Sequence, residues 1–235
     1  MNLTLGMIVK NEAFYLSVIL PLIRRAFDEI VAVDAESSDE TRDVLQKQGA
    51  RVIVKPWTGY SDARNEAIRS AKGDWMIMLD ADEAMFPEDL QMLRSIMMDR
   101  AYNAIIVPKY EFSIDHEHHQ PYWYPDLKKR MFRLGVGYYY HGKLHEQLTR
   151  PGERKEEQRC VPEVHMYHYG QSKPPEVVWL RHENYRRLEA GEPLLAEVPA
   201  GTAVPRQAGV PFLRHHPLKG VAPARSMAEY GKARA

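Results

Sequence analysis

The sequence contains a single cysteine, Cys160, and this scarcity excludes a framework of intramolecular disulfides. It also lacks an excess of either charge, because 32 Lys and Arg residues balance 32 Asp and Glu residues. This balance argues against a broad nucleic-acid-binding surface. No apolar stretch approaches the length that crosses a bilayer, and the N-terminus lacks the basic segment and apolar core of a signal peptide. These absences predict a soluble cytoplasmic protein and are compatible with peripheral contact with the cytoplasmic face of a membrane.

The hydrophobic pattern of the first hundred residues alternates between strand and helix periods. Predicted strands cover 3–9, 29–33, 51–55 and 74–79, and predicted helices cover 13–25, 61–72, 87–99 and a segment from a capping box at 37–40 to Gly49. This alternation predicts an α/β fold with a mixed, mainly parallel sheet flanked by helices. Farther on, 103–113 and 130–140 are predicted strands and 175–190 is a predicted helix. Pro, Gly and Ala then accumulate, so 191–235 is predicted to be an irregular, Pro/Gly-rich extension.

The most informative local feature is an acidic turn after a buried strand. Asp80, Asp82 and Glu83 directly follow the apolar run 75–79, which is typical of a strand covered on both faces. Such a strand delivers its next residues to the carboxyl edge of the sheet, where open α/β folds bind ligands. Carboxylates so close together need a compensating cation or hydrogen-bond donors, and oxygen ligands suit Mg²⁺ or Mn²⁺. The alternative is an acidic turn that only caps the following helix.

Polar residues also follow the other early strands. Asn11 and Glu12 come after the first strand, Asp34 comes after the second, and Arg64 lies in the helix after the third. A carboxylate such as Asp34 can accept hydrogen bonds from a base edge or ribose hydroxyls. Arg64 can bond a phosphate, or it can hold the acidic turn as a structural ion pair. Because parallel strands end at the same edge of a sheet, we expect these side chains to converge on the acidic turn.

Together these segments resemble the inverting glycosyltransferases of family 2, which have the Rossmann-like, nucleotide-sugar-binding GT-A fold. The matching segments are IVKNE at 8–12, VDAESSDET at 33–41, ARN at 63–65, LDADE at 79–83 and PEDL at 87–90. RMFR at 130–133 and HE at 145–146 resemble a branch that includes lipopolysaccharide-core glucosyltransferases. The resemblance covers about 3–190 and implies a domain of 1–190 with a nucleotide-sugar-binding half, 1–100, and an acceptor-side half, 101–190, followed by the extension 191–235. Ala35-Glu36 departs from the family, where smaller residues are usual.

The resemblance implies a nucleotide-sugar donor, a UDP-sugar by preference, and a divalent cation, Mn²⁺ or Mg²⁺. The residues expected to bind the donor are Asn11, Glu12, Asp34, Arg64, Asp80 and Arg130. Asp34 is expected on the nucleoside, and Asp80 near the ribose or the metal. Asp82 is expected to coordinate the cation, which offsets charge on the leaving diphosphate. His168 is the expected histidine ligand and His165 the competing one, and a packed, hydrogen-bonded histidine is the alternative.

Inversion requires a base that takes the proton of the acceptor hydroxyl as it attacks the anomeric carbon. Glu146 is the first candidate, because His145-Glu146 follows a strand and matches the family, and Asp126 is the second. For Glu146 the alternative is a helix-capping or Arg-paired carboxylate. Arg130 and Arg133 alternate along a predicted strand, so both could face the site or form solvated ion pairs.

The acceptor implied by the resemblance is a hydroxyl of a glycan or of a lipid-linked saccharide. Tyr122, Trp123 and Tyr124 carry aromatic faces that suit sugar rings, although anchoring of the core or a loop is the commoner use of any one of them. The neighbouring run DHEHH at 115–119 lacks the spacing of a tetrahedral zinc site, so zinc is not expected there. Phe212 and His216-Pro217 resemble a segment near the end of some relatives.

Two other functions compete with glycosyl transfer. Sugar-phosphate nucleotidyltransferases share the architecture and the acids, but they typically carry a Gly-rich phosphate loop where this chain has KNEA at 10–13. A non-catalytic nucleotide-sugar-binding protein would tolerate a degenerate site, whereas Asp82 and Glu146 are both present. The sequence therefore favours a metal-dependent glycosyltransferase, with the non-catalytic protein as the alternative.

Overall fold

Strands and helices alternate along the first half of the chain in the computed structural model, which describes residues 1–204, 210–211, 216–221, 229 and 232. The strands are β1 (Leu3–Val9), β2 (Glu29–Asp34), β3 (Arg51–Val54), β4 (Trp75–Met78), β5 (Glu83–Ala84), β6 (Ala104–Ser113), β7 (His118–His119), β8 (Asp126–Arg133), β9 (Tyr139–His141), β10 (Gln147–Thr149), β11 (Gln158–Cys160), β12 (Met166–Gln171) and β13 (Val210–Pro211). The helices are α1 (Ala13–Ile23), α2 (Thr41–Lys47), α3 (Tyr60–Ser70), α4 (Pro87–Ile96) and α5 (Pro175–Ala190), with 3₁₀ turns at Arg24–Ala26, Pro121–Trp123 and Lys155–Glu157.

One sheet connects both halves of the described chain. Its main path runs β13-β7-β6-β8-β4-β1-β2-β3, with β11 and β12 paired to β6 and β5 paired to β12. β1 pairs in parallel with β2 and β4, and β3 extends the parallel part beyond β2. β8 runs antiparallel between β4 and β6, and β12 runs parallel to β6. The expected α/β architecture of GT-A type, a mixed and mainly parallel sheet flanked by helices, is confirmed.

β1, β2 and β4 are buried on both faces because their residues alternate between two cores. Leu5 and Met7 of β1 belong to the core that includes the apolar sides of α1 and α4. Val31 of β2 and Met78 of β4 belong to the core that includes Ala67 of α3. The alternation follows from the two-residue period of a strand. A sheet covered in this way offers a ligand only its edges, so the loops beyond the carboxyl ends of β1, β2 and β4 are where a site can form.

The prediction of a single strand at 130–140 is wrong. β8 ends before Gly135 and Gly137, which have φ angles of 77° and 96° and therefore cannot continue a strand. Arg130 and Arg133 do not both face the site, because strand residues three apart point to opposite faces. The guanidinium of Arg133 lies 4.9 Å from the centre of the Trp75 ring, whereas Arg130 faces the acidic turn.

The described part of the extension packs against the domain. His216 and Leu218 are fully buried, and the carbonyl oxygen of Val221 lies 2.8 Å from Nδ1 of His116. β13 pairs with β7, and Phe212 lies outside the described residues. Within the described ranges, no helix combines the length and apolar character that crossing a membrane requires.

Candidate functional site

The loops that follow β1, β4 and β12 meet at the carboxyl edge of the sheet. Lys173, between β12 and α5, places its Nζ 2.6 Å from Oε1 of Glu12 and 2.7 Å from Oδ2 of Asp82. Only 3% of the Lys173 side chain is exposed, and its ammonium lies 5.6 Å from the centre of the Tyr15 ring. The carboxylates that follow β1 and β4 therefore share one buried cation.

Two arginines hold the acidic turn. Nη2 of Arg64 lies 2.7 Å from Oδ1 of Asp80. Nη2 of Arg130 lies 2.7 Å from Oε1 of Glu83 and 3.5 Å from Oδ2 of Asp80. Burial disfavours the ionised form of Asp80, but the charges of Arg64 and Arg130 outweigh it and hold the pKa of Asp80 well below its usual range. The capping alternative is wrong, because α4 begins only at Pro87 and no side chain caps it.

His168 stands between two carboxylates. Its Nε2 lies 3.3 Å from Oδ1 of Asp82, and its Nδ1 lies 2.7 Å from Oε2 of Glu111. Burial favours the neutral imidazole, but Glu111 and Asp82 together raise the pKa of His168 to about 9. His165 lies elsewhere, with its Nε2 3.0 Å from the hydroxyl of Tyr124. Of the two histidines named from the sequence, His168 is the one beside the acidic turn.

Asp82 and His168 fit a divalent cation that would displace the proton from Nε2 of His168 and take its other ligands from substrate or water. Their 3.3 Å separation is close to the ~3 Å between neighbouring ligands of an octahedral Mg²⁺. The bond from His168 to Glu111 fixes the imidazole so that Nε2 faces Asp82, as second partners of metal-binding histidines do. Among the residues that the structure describes, no group of three or more His, Cys, Asp or Glu side chains could hold an ion by itself. Asp82 and His168 are therefore two candidate ligands and do not form a closed cage with other described residues.

Gly170 leaves room for two cationic groups beside Asp82. A Cβ at this position would lie 2.5 Å from Nε2 of His168 and 2.8 Å from Nη1 of Arg181. Arg181, in α5, donates to the carbonyl oxygen of Gly170 over 3.0 Å, and its Nη1 lies 3.9 Å from Oδ2 of Asp82. The missing side chain therefore lets β12 present the imidazole while α5 presents the guanidinium.

The two base candidates lie in different surroundings. Glu146, between β9 and β10, accepts a hydrogen bond from Nε of Arg64 over 2.6 Å. The Arg-paired environment considered for Glu146 is therefore present, and the same arginine ties Glu146 to Asp80. Asp126 is the first residue of β8, and its Oδ2 lies 3.2 Å from Nζ of Lys109. Glu146 thus reaches Asp80 of the acidic turn through Arg64, whereas Asp126 reaches Glu111, the partner of His168, through Lys109.

Helix α3 fastens the hairpin that carries Glu146. Asn65 exchanges two hydrogen bonds of 2.8 Å with the backbone of Tyr140 in β9. Ser61 donates to the carbonyl oxygen of Gly142 over 2.6 Å. The ARN segment at 63–65 therefore links the parallel half of the sheet to the hairpin through the helix between them.

Asp34 is fully buried and organises the loop after β2. Ser37 donates to its carboxylate from the backbone N–H, over 3.2 Å, and from the hydroxyl. Asn11 holds the same loop by accepting from the N–H of Ser38 over 2.8 Å. Because Ser37 is bonded to Asp34 and α2 begins only at Thr41, the predicted capping box is wrong. Asp34 has no exposed surface in this structure, and its carboxylate shapes the loop, so direct contact of Asp34 with a nucleoside stays a prediction.

A comparison with known proteins decides the family. The family model described as Glycosyl transferase family 2 matches residues 4–156, which is more than half of the chain. The chain belongs to glycosyltransferase family 2. An uncharacterized glycosyltransferase of Rickettsia felis is 31% identical over 125 residues, which cover 53% of this chain and 42% of the relative. The SPbeta prophage-derived glycosyltransferase SunS of Bacillus subtilis is 30% identical over 152 residues, which cover 62% of this chain and 34% of SunS. The chain thus spans less than half the length of these relatives.

Solved structures similar to this family 2 chain have low sequence identity. A solved structure of TarS 1–349 from S. aureus gives a TM-score of 0.49 at 14% identity, covering 72% of this chain and 60% of that solved chain. Glucosyl-3-phosphoglycerate synthase from Mycobacterium tuberculosis, in complex with Mn²⁺, UDP-glucose and phosphoglyceric acid, gives a TM-score of 0.41 at 18% identity. The match covers 46% of this chain and 44% of that solved chain.

Two residues of the site in this family 2 chain, Lys173 and Glu111, were not predicted from the sequence. Lys173 precedes two prolines at a helix start, and its partner Glu12 lies 161 positions away, so no local signal marks it. Glu111 lies within the largely apolar strand β6, and a carboxylate at a buried strand position is the signal that could have found it.

Proposed function

We propose that this family 2 chain transfers a sugar from a nucleoside diphosphate donor to an acceptor hydroxyl, with inversion and with Mn²⁺ or Mg²⁺. The observation that carries the proposal is Asp82 at the carboxyl end of β4, with His168 beside one carboxylate oxygen and Lys173 beside the other. A nucleoside diphosphate is a ligand that uses both a divalent cation and fixed positive charges, and this site provides for both.

In this proposal Asp82 and His168 hold the cation, and Glu111 orients the imidazole. When bound, the cation would offset the negative charge that develops on the leaving nucleoside diphosphate. Lys173 and Arg181 add positive charge on the same side of Asp82. These charges favour departure of the diphosphate because they are in place before the bond breaks.

The remaining donor-binding residues act in two groups. Arg64, Asp80 and Arg130 form one connected set, in which Asp80 is proposed to accept hydrogen bonds from the ribose. Around the nucleoside, Asn11 and Asp34 are proposed to act through the loop that they hold, while Glu12 acts through Lys173. A UDP-sugar is the first donor to test.

Glu146 is proposed as the base that takes the proton of the acceptor hydroxyl. Arg64 joins Glu146 to Asp80, so the base and the donor-binding turn keep a fixed relation. A carboxylate on the face opposite the leaving group gives inversion. Asp126 is the second candidate, with Lys109 as its neighbour.

The proposed acceptor is a saccharide or a lipid-linked saccharide. Tyr122 is 94% exposed and Trp123 is 53% exposed, just before β8. Aromatic faces open to solvent suit sugar rings. A lipid-linked acceptor would bring a cytoplasmic protein to the membrane surface.

Release of nucleoside diphosphate from a panel of nucleotide sugars, with Mn²⁺, with Mg²⁺ and with EDTA, tests the proposal. We expect slow, metal-dependent hydrolysis of one donor, which is lost in Asp82→Asn. Asp28→Asn is the matched control, because Asp28 is an ion-paired aspartate at the opposite end of β1. In a parallel assay, release of pyrophosphate from a nucleoside triphosphate in the presence of a sugar phosphate would indicate a nucleotidyltransferase. Donor binding without turnover, in the presence of saccharide acceptors, would indicate a non-catalytic protein, and no metal-dependent donor binding would overturn the proposed site.

A further inference from the structure

The backbone that carries Lys173 is anchored, so its side chain is the movable part. The hydroxyl of Ser172 donates to the carbonyl oxygen of Asp115 over 2.6 Å. The backbone N–H of Ser172 donates to the carbonyl oxygen of Tyr169 over 2.9 Å. Pro174 and Pro175 follow at the start of α5. A lysine ammonium on its flexible stem can change partners without a change in this backbone.

Both oxygens of Asp82 are already engaged. Nε2 of His168 lies beside Oδ1, and Nζ of Lys173 lies 2.7 Å from Oδ2. Asp82 is only 4% exposed, and a buried carboxylate without a cationic partner is costly. A divalent cation held by His168 and Oδ1 of Asp82 would be repelled by an ammonium on the other oxygen of the same buried carboxylate, so tight metal binding requires the ammonium to move away. A departing ammonium is stabilised by a second anion beside Glu12. A diphosphate is such an anion.

We propose that Lys173 is a resident cation, which keeps a divalent cation off Asp82 until a nucleoside diphosphate binds and receives the ammonium. This inference rests on the proposed function in one respect, namely that Asp82 is a metal ligand and the donor carries a diphosphate. The divalent cation and the donor then bind in mutual dependence, because each removes the obstacle to the other. Lys173 changes its partner from Asp82 to a phosphate oxygen and stays charged throughout.

A purely structural ion pair leads to a different expectation. Substitution of Lys173 would then lower stability and leave the affinity for metal unchanged. Lys129 is the control for the loss of an ion-paired lysine charge, with 19% of its side chain exposed. Its Nζ lies 2.6 Å from Oε2 of Glu153 and 5.6 Å from the centre of the Tyr138 ring, which parallels Lys173 over Tyr15.

Mn²⁺ binding measured by electron paramagnetic resonance tests the inference on the full chain, alone and with UDP or GDP. We expect wild type to bind Mn²⁺ at least about tenfold more tightly with one of these nucleotides than without. Lys173→Gln and Lys173→Ser should bind Mn²⁺ without nucleotide at least about tenfold more tightly than wild type, and should bind the nucleotide more weakly in EDTA. Lys129→Gln should behave as wild type. Two Lys173 variants are used because Gln keeps a polar group and Ser leaves space, and circular dichroism checks the fold of each.

The outcomes separate this inference from the proposed function. Equal Mn²⁺ affinity of wild type and the Lys173 variants without nucleotide overturns the role of Lys173. Nucleotide-dependent Mn²⁺ binding by wild type in that same experiment leaves the proposed function standing. If no protein binds Mn²⁺ under any of these conditions, the proposed metal site and the role of Lys173 are both overturned.

Discussion

Nε of Arg64 lies 2.6 Å from Oε1 of Glu146, although 82 positions separate the two residues. Its Nη2 lies 2.7 Å from Oδ1 of Asp80, so one buried guanidinium joins the base candidate to the acidic turn. The planar guanidinium is always charged and offers donors in fixed directions. Arg64 therefore sets the spacing between Glu146 and the acidic turn.

We expect Glu146→Gln to lower kcat for transfer by at least about 100-fold, because an amide cannot take the acceptor proton. The KM for the donor should change little, since the amide oxygen can still accept from Arg64. Steady-state kinetics with the identified donor gives both constants. Asp126→Asn is the comparison and should keep kcat within a few-fold of wild type. The opposite pattern would assign the base to Asp126.

Gly170→Ala should damage the site more than the fold. The added methyl would lie 2.5 Å from Nε2 of His168 and push the imidazole away from Asp82. We expect metal-dependent donor hydrolysis to fall by at least about tenfold, because the two proposed ligands separate. Gly73→Ala is the control, since its methyl would meet Oγ1 of Thr4 at the same 2.5 Å. It should lower Tm and leave hydrolysis by the folded protein unchanged, and equal losses of hydrolysis in both variants would contradict the prediction.

The pH dependence of stability should carry a contribution from His116. Burial lowers the pKa of His116 to about 4, and its ring lies between the hydroxyl of Tyr15 and the carbonyl oxygen of Val221. An unfolded histidine titrates near ~6.5, so between that pH and about 4 the unfolded state binds more protons than the folded state. The free energy of unfolding should therefore fall by about 2–3 kcal/mol as the pH drops through this window. Urea unfolding should show a shallower fall in His116→Gln, and identical slopes would exclude this contribution.

Glu36→Gly should stabilise the protein. Glu36 is exposed and has a φ of 57°, a conformation that costs an L-residue about 1–2 kcal/mol. Glycine avoids this cost and loses about 0.5–1 kcal/mol through the freedom of the unfolded chain. We expect a net gain of about 0.5 kcal/mol in urea unfolding. Glu88→Gly, at an exposed position of α4, should instead lose about 1 kcal/mol, and a similar loss in Glu36→Gly would contradict the left-handed backbone there.

The elements of the parallel half follow from local sequence. The apolar runs of β1, β2 and β4 bury both faces, so the run itself marks each of these strands, and Asp80 and Asp82 could be assigned to the carboxyl edge. α5 spans the residues predicted for it. In each of these cases the decisive information lies within about ten neighbouring residues.

What could not be predicted depends on distant partners or on backbone angles. Lys173 becomes a site residue only because Glu12 meets it across 161 positions. Asp34 looked open to a ligand, whereas Ser37 occupies its carboxylate. Gly135 interrupts a strand-like pattern through its φ of 77°, and apolar periodicity carries no information about that angle.

The position of β8 between β4 and β6 has a practical consequence for work with parts of the chain. A fragment that stopped near residue 100 would lose β8 and β6 and would uncover the edge of β4. All four residues of β4 are apolar and buried, and an open edge of this kind recruits other chains. Such a fragment should aggregate when produced alone. Co-expression with the remainder of the chain should restore its solubility, since β8 would then be available to cover the edge of β4.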